Sequence, residues 1–303
     1  MLVSLIILFS ATLLSLFMPR KMGKYRGWIL AVVPASLFAW LLTRVIDMKS
    51  VQSVQETISW IPQMGIGFDF YLDGLSMLFA LLILGIGVFI LVYAGNYMKS
   101  YPHQRRFFFF LLFFLGSMLG LVFSSNLLVL FLFWEFTSVS SFFLIGFFHH
   151  REQARKAALQ SFLVTGIGGL ALLGGILLIY QVTGSFELRE IMENPGQLIR
   201  SPHYPAILLL FLAGIFTKSA QFPFHFWLPG AMQAPAPVSA FLHSATMVKA
   251  GIFLLLRMSP LLAGTSAWSS IVTLFGAITM FTGAYMAVAK TDLKSILAHT
   301  TIS

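Results

Sequence analysis

Long apolar runs, each interrupted by a few polar or turn-forming residues, repeat along the whole chain. They fall roughly at 2–18, 27–43, 73–97, 106–123, 127–147, 157–180, 205–222, 238–257 and 266–289, and a further run opens near 293. A transmembrane helix needs about 20 apolar residues to cross a hydrocarbon core of ~30 Å. A membrane β-barrel would alternate over segments of about ten residues, and stretches such as Phe107–Phe114 do not alternate. The pattern predicts an all-α polytopic membrane bundle of about nine complete helices plus the start of a tenth. The first run is followed, not preceded, by Arg20 and Lys21. That is the reverse of a cleavable leader, so a retained first helix is expected. From Leu293 onward there is room for only about 16 Å of helix, roughly half the core. The chain is therefore expected to be a piece that stops inside a membrane helix.

One interruption differs from the others. Between Phe222 and Val238 the chain reads Phe-Pro-Phe-His-Phe-Trp-Leu-Pro-Gly-Ala-Met-Gln-Ala-Pro-Ala-Pro-Val. Proline ends or kinks a helix and frees carbonyls, which at membrane depth are tolerated only where protein or water satisfies them. A broken helix near 218–237 follows. The loop from Arg44 to Phe70 is mildly acidic and amphipathic, and is expected to lie along a membrane surface. The loop at 181–204 carries Thr183-Gly-Ser185 and Asn194-Pro-Gly196, which predict turns and a short helix.

Composition supports the class: 58% of residues are hydrophobic and 10% charged, with a mean hydropathy of +0.89. With no cysteine, disulfides and thiolate metal sites are excluded. No nucleotide-binding loop, metal-ligand spacing or nucleophile–base pair emerges, and no cofactor or metal is expected. A net charge of +9 raises nucleic acid as a partner, but the distribution of that charge argues for topology instead. Alternate loops hold Arg20, Lys21, Lys24, Arg26, Lys99, Arg105, Arg106, Arg151, Arg155, Lys156, Lys290 and Lys294 on one side. Arg44, Lys49, Arg189, Arg200 and Arg257 lie on the other, with most of the carboxylates. By the positive-inside rule the first side is cytoplasmic and the N-terminus outside. Glycines 166, 168, 169, 174 and 175 predict close helix packing.

Glu135, Lys218 and Lys249 remain inside the apolar runs, joined by the titratable His243. Ionisable groups at this depth usually face a bundle interior or a water-filled path. Glu135 reads either as a structural carboxylate or as the partner of a lysine whose proton it controls. Lys218 is either a snorkelling helix-end lysine or, with Thr217, Ser219 and Gln221 around it, part of a hydrated path. On a single helix, Ser239, His243, Thr246 and Lys249 would fall within an arc of about 120° and climb about 15 Å, a polar stripe suited to proton relay. His225, Lys294 and His299 are weaker gate or relay candidates.

Several motifs resemble one family. Leu132-Phe-Trp-Glu-Phe136, Thr217-Lys-Ser-Ala-Gln-Phe-Pro223, His225-Phe-Trp-Leu-Pro-Gly-Ala-Met232, Ala236-Pro-Val-Ser-Ala240 and His243-Ser-Ala-Thr-Met247 are similar to the proton-translocating family of Mrp cation/proton antiporters and the antiporter-like subunits of respiratory complex I. Asp73-Gly-Leu-Ser76 and Thr291-Asp-Leu-Lys-Ser-Ile-Leu-Ala298 fit too, and the wording of 234–257 most resembles the antiporters' A-type subunit. The resemblance implies inverted five-helix repeats with broken helices. It divides the chain into peripheral helices (1–100), a first repeat (101–260) and the truncated start of a second (261–303). It implies Glu135 as control carboxylate, Lys218 as broken-helix lysine, and His243 with Lys249 as relay. The expected function is proton translocation in a multisubunit Na⁺ (or other monovalent cation)/proton antiporter of the bacterial inner membrane. Its implied partners are other membrane subunits, protons, the cation and the bilayer. The rival readings are the pumping arm of a quinone reductase and a non-transporting scaffold of the same fold.

Overall fold

The computed structural model describes residues 1–19, 22–23, 25–47, 53–61, 66–244 and 246–303. Arg20, Lys21, Lys24 and Lys49, which entered the charge count, lie outside the described residues. The helices are α1 (Leu2–Phe17), α2 (Arg26–Asp47), α3 (Gly74–Tyr97), α4 (Gln104–Phe123), α5 (Leu127–Ile145), α6 (Glu152–Thr183), α7 (Leu188–Glu193), α8 (Pro195–Ile199), α9 (Tyr204–Lys218), α10 (Trp227–Gly230), α11 (Ala236–Ser244), α12 (Met247–Leu262), α13 (Ser266–Val288) and α14 (Leu293–Ile302).

Among the described residues seven helical segments are long and apolar enough to cross a membrane, counting α11 and α12 together. The expectation of nine complete spans plus a tenth is not supported. Leu2–Phe17 and Tyr204–Lys218 are apolar but shorter, reaching about 24 Å at 1.5 Å per residue, and α14 has 10 residues. The bundle is multi-pass in character all the same. Its centre is α4, 78% of whose apolar window is buried, and its rim is α13, with 11%.

Helix starts follow local chemistry. Asp73 accepts from the Ser76 amide at 2.9 Å. Asn126 accepts from Leu128 and Val129, Thr265 from Trp268 and Asp292 from Ser295. Each satisfies amide groups that a helix start leaves unpaired. The α6 helix ends at Gly184, whose φ of 75° is reached without a Cβ penalty.

The region from Arg44 to Phe70 contains strand pairs that the amphipathic reading missed. Strand β1 (Val54–Glu56) runs antiparallel to β4 (Phe70–Leu72), and β2 (Ser59–Ile61) to β3 (Ile66–Gly67). Phe70 then bridges to Ser124, and Asn126 to Glu187, so the connections on this face are stitched to one another. The start of α1 belongs to the same face, where the Met1 ammonium meets Glu56 at 2.8 Å. The 181–204 loop forms α7 and α8, as its turn residues suggested.

Candidate functional site

The broken helix is present. α9 stops at Lys218, and the chain continues through two short 3-10 turns and the four-residue α10 before α11 begins. The end of α9 is closed by the Gln221 amide donating to Phe216 O at 2.9 Å and Ala220 to Thr217 O at 3.4 Å. Ala220 takes the left-handed position, φ 53°, where glycine is usual and a Cβ costs about 1–2 kcal/mol. Groups freed by the break find partners from afar. Trp227 Nε1 donates to Thr217 O at 2.8 Å, and the Phe222 amide to Thr279 Oγ1 at 3.0 Å. Lys294 Nζ donates to Met232 O and Ala234 O at 3.1 and 3.0 Å.

Lys218 has no exposed surface. Its Nζ crosses to α5, donating to Trp134 O at 2.9 Å and Ser138 Oγ at 2.7 Å, and lies 4.9 Å from the centre of the Trp134 ring. It does not snorkel. Glu135, the residue after Trp134, is half-buried, and its Oε1 has no hydrogen-bond partner. Among the described residues no ion pair within 4.0 Å joins it to Lys218, although each charge lies in the other's field. Two glycines of α6 make room for this arrangement. A Cβ on Gly169 would overlap Glu135 Oε1, and one on Gly168 would overlap Thr217 Oγ1. Gly175 similarly admits the Phe211 ring, whereas a Cβ on Gly166 would meet no atom within 4 Å among the described residues.

The single polar stripe on one helix is corrected. α11 ends at Ser244 and α12 starts at Met247, with Thr246 at φ −125°, ψ −92°. Ala245 lies outside the described residues. The one-helix arc of about 120° therefore does not apply. Ser239 and Thr246 turn their hydroxyls to Ala234 O and Phe241 O. His243 is buried with neither ring nitrogen partnered, and Lys249 is exposed. No hydrogen bond connects Lys218, His243 and Lys249 among the described residues.

Instead α14 folds over the break and gathers the weaker candidates. The Lys294 charge acts on His243 and that of His299 on His225. His299 is buried and bonds Ser295 O at 2.7 Å through Nδ1, while His225 stacks on Phe222 at 5.6 Å between ring centres. The sequence reading missed Trp134 and Ser138 as the groups that hold Lys218. The signal was present as Thr137, Ser138, Ser140 and Ser141, a run of hydroxyls directly after Glu135 in an apolar helix, all buried. It also missed Arg257, which it placed in a loop. Arg257 is buried, bonds Asp73 at 2.6 and 2.9 Å and Ser76 Oγ at 2.6 Å, and so ties the end of α12 to the start of α3.

Residues 124–303 match the family model described as "NADH:quinone oxidoreductase/Mrp antiporter, TM". Residues 59–108 match "NADH-Ubiquinone oxidoreductase (complex I), chain 5 N-terminus". The chain is 47% identical over 280 residues to the A-type subunit of a Na(+)/H(+) antiporter from Alkalihalophilus pseudofirmus, covering 92% of this chain and 35% of the relative. It is 45% identical over 277 residues to the A1-type subunit of a Na(+)/H(+) antiporter from Staphylococcus aureus, covering 91% and 35%. It thus spans about a third of the length of the curated relatives it matches. A solved Mrp complex from Dietzia sp. contains a chain with a TM-score of 0.92 and 37% identity, covering 99% of this chain and 32% of that one.

Proposed function

The chain belongs to the NADH:quinone oxidoreductase/Mrp antiporter transmembrane family, and on that premise we propose that it is a proton-carrying part of a multisubunit Na⁺/proton antiporter. The observation that carries the reading is Lys218. It is fully buried at the end of an interrupted helix, held by a carbonyl and a hydroxyl, and sits one residue's reach from a carboxylate that is near but unbonded. A buried ammonium keeps its proton only while its partners replace lost hydration. A carboxylate that can approach or withdraw is therefore a means of loading and unloading that proton. Glu135 is the control group and Lys218 the carrier; onward transfer is assigned to His243 and Lys249 by the family resemblance alone, across the break between α11 and α12.

The cluster of His225, Lys294 and His299, with Ser239 sharing the Ala234 carbonyl with Lys294, gates access from the basic side of the bundle, and Thr246 is a further candidate on the same path. That side faces the cytoplasm of a bacterium, with the N-terminus outside. Residues 101–260 form the proton-carrying repeat, 1–100 its periphery and 261–303 the start of the next repeat.

The match of residues 59–108 to a complex I chain favours a second reading, the pumping arm of a quinone reductase. The relatives at 45–47% identity carry antiporter names, which weighs toward the first. In everted vesicles containing the complete complex, Glu135→Ala and Lys218→Ala are each expected to lower Na⁺-driven proton movement by at least tenfold. Wild-type rates in both would remove the proposed pair. Co-purification of flavin and iron–sulfur proteins would move the assignment to the reductase.

A further inference from the structure

At the basic end of the bundle, away from the candidate site, a cleft of about 710 Å³ opens between the end of α1, the start of α2, the end of α3 and the start of α4. Arg26, Lys99, His103, Arg105 and Arg106 line it, and no carboxylate does among the described residues. Basic residues in membrane loops need no ligand, because they set topology. Arg26 is different because it is only 2% exposed. Its two terminal nitrogens reach neutral oxygens at 3.2–3.4 Å, on Gln104, Met18 and Pro19. Its Nε has no partner, nor has the buried Nε of Arg105, whose charge acts on Arg26.

The packing fixes Arg26 in this position. A Cβ on the next residue, Gly27, would strike the backbone of Leu91 and Gly95, so α2 and α3 touch there main chain to main chain. Arg26 and Arg105 line the same cleft, each with a buried Nε left without a partner, and an anion between them would satisfy both. The surroundings say where that anion comes from. Tyr93, Tyr97 and Tyr101 form a ladder with ring centres 5.7 and 6.0 Å apart that ends at the cleft. Trp28 is 63% exposed on the neighbouring helix. Amphipathic rings beside basic groups at a helix end are the signature of the headgroup layer.

We propose that this cleft binds the phosphate of an anionic phospholipid, with Arg26 and Arg105 as the fork that grips it and Lys99 at the mouth. The site is independent of the proton-carrying reading. The test uses the complete detergent-purified complex and follows its thermal unfolding with added dioctanoyl phosphatidylglycerol, dioctanoyl phosphatidylcholine or inorganic phosphate. The glycerol lipid is expected to raise the midpoint saturably, and the other two are not. Arg105→Gln and Lys99→Gln are each expected to raise the half-saturating concentration about fivefold. Lys99 is exposed, so its variant keeps the test valid if the Arg105 variant does not fold. Arg26→Lys keeps the charge but loses the fork, and is expected to weaken the effect as well. Absence of a phosphatidylglycerol shift, an equal shift with inorganic phosphate, or an unchanged half-saturation in the Lys99 and Arg105 variants would overturn the proposal.

Discussion

Arg257 gives its guanidinium to Asp73 through two bonds and to Ser76 through a third, with the rings of Tyr71 and Phe253 5.6 and 5.3 Å away. Lys218, equally deep, receives only a carbonyl, a hydroxyl and one ring face, while the carboxylate beside it stays unbonded. The first is a closed pair and the second an open one. Arginine suits closure because its planar fork matches a carboxylate in two places and does not deprotonate. Lysine is a point charge on a flexible stem whose proton can leave when burial and partners change. The fold therefore locks one buried cation as a fastener between α12 and α3, and leaves the other with its counter-charge uncommitted.

The largest expected effect breaks the closed pair. Arg257→Ala strands Asp73 half-buried and is expected to cost about 3–5 kcal/mol, read as a lowered unfolding midpoint of the purified complex. Lys218→Met removes a charge that closes no carboxylate pair and is expected to destabilise less than Arg257→Ala, while antiport in vesicles is lost. Equal destabilisation by the two substitutions would erase the distinction between fastener and carrier.

Next in size is Gly169→Ala. The new methyl overlaps Glu135 Oε1, the far end of a flexible side chain, so the carboxylate must swing aside, at a cost near the lower end of the about 1–3 kcal/mol of overpacking. Transport is expected to fall as far as in Glu135→Ala, and Gly169→Ala/Glu135→Ala to be no worse than Glu135→Ala alone. Additive losses would show that Gly169 acts through helix packing instead.

Changes of pH from acid to neutral sharpen the comparison from the outer connections. Burial raises the Asp73 carboxyl, but the bonds and charge of Arg257 outweigh it and hold the group below its ordinary range. Its stabilisation is present above the unfolded value of about 3.9 and is lost as pH falls through the folded value. Asp73→Asn is expected to flatten that acid limb while lowering stability at neutral pH. Glu187 behaves oppositely. Burial, with the neighbouring Asp69 carboxyl, pushes it up to about 7 against the hydrogen bond from Ser125. Its contribution is full below the ordinary carboxyl range and is lost as pH rises through about 7. Glu187→Gln is expected to remove that decline in the unfolding midpoint between the ordinary carboxyl range and about pH 7.

The smallest effect concerns the break itself. Ala220→Gly relieves the left-handed strain next to Lys218 and is expected to add about 1 kcal/mol. A loss of stability would mean that the Cβ makes a contact worth more than the strain.

Much of this was legible in the chain. Apolar run length marks the helix positions, Pro223 and Pro229 mark the broken stretch, and Asp73, Asn126 and Asp292 mark helix starts through their short polar side chains. The break before Met247 was not legible. Phe241-Leu-His-Ser-Ala-Thr-Met247 contains neither proline nor glycine, so nothing local opposes a continuous helix there. The strands at 54–72 were also hidden, since an antiparallel pair is held by bonds to residues far along the chain, here Val54 to Leu72.

The sequence by itself determined that the chain is a bundle of membrane helices, that Lys218 carries a charge into it, and where proline interrupts a helix. Those follow from periodicity, transfer cost and backbone geometry, all local properties. Only the tertiary structure decided that Arg257 is closed on Asp73 and Lys218 is open beside Glu135. It also decided that Lys249 faces outward and that α14 brings Lys294 and His299 to the break. Pairing depends on which helix faces meet, and residues such as Gly168 and Gly169 set those faces from another helix. No pattern within one apolar run records that choice.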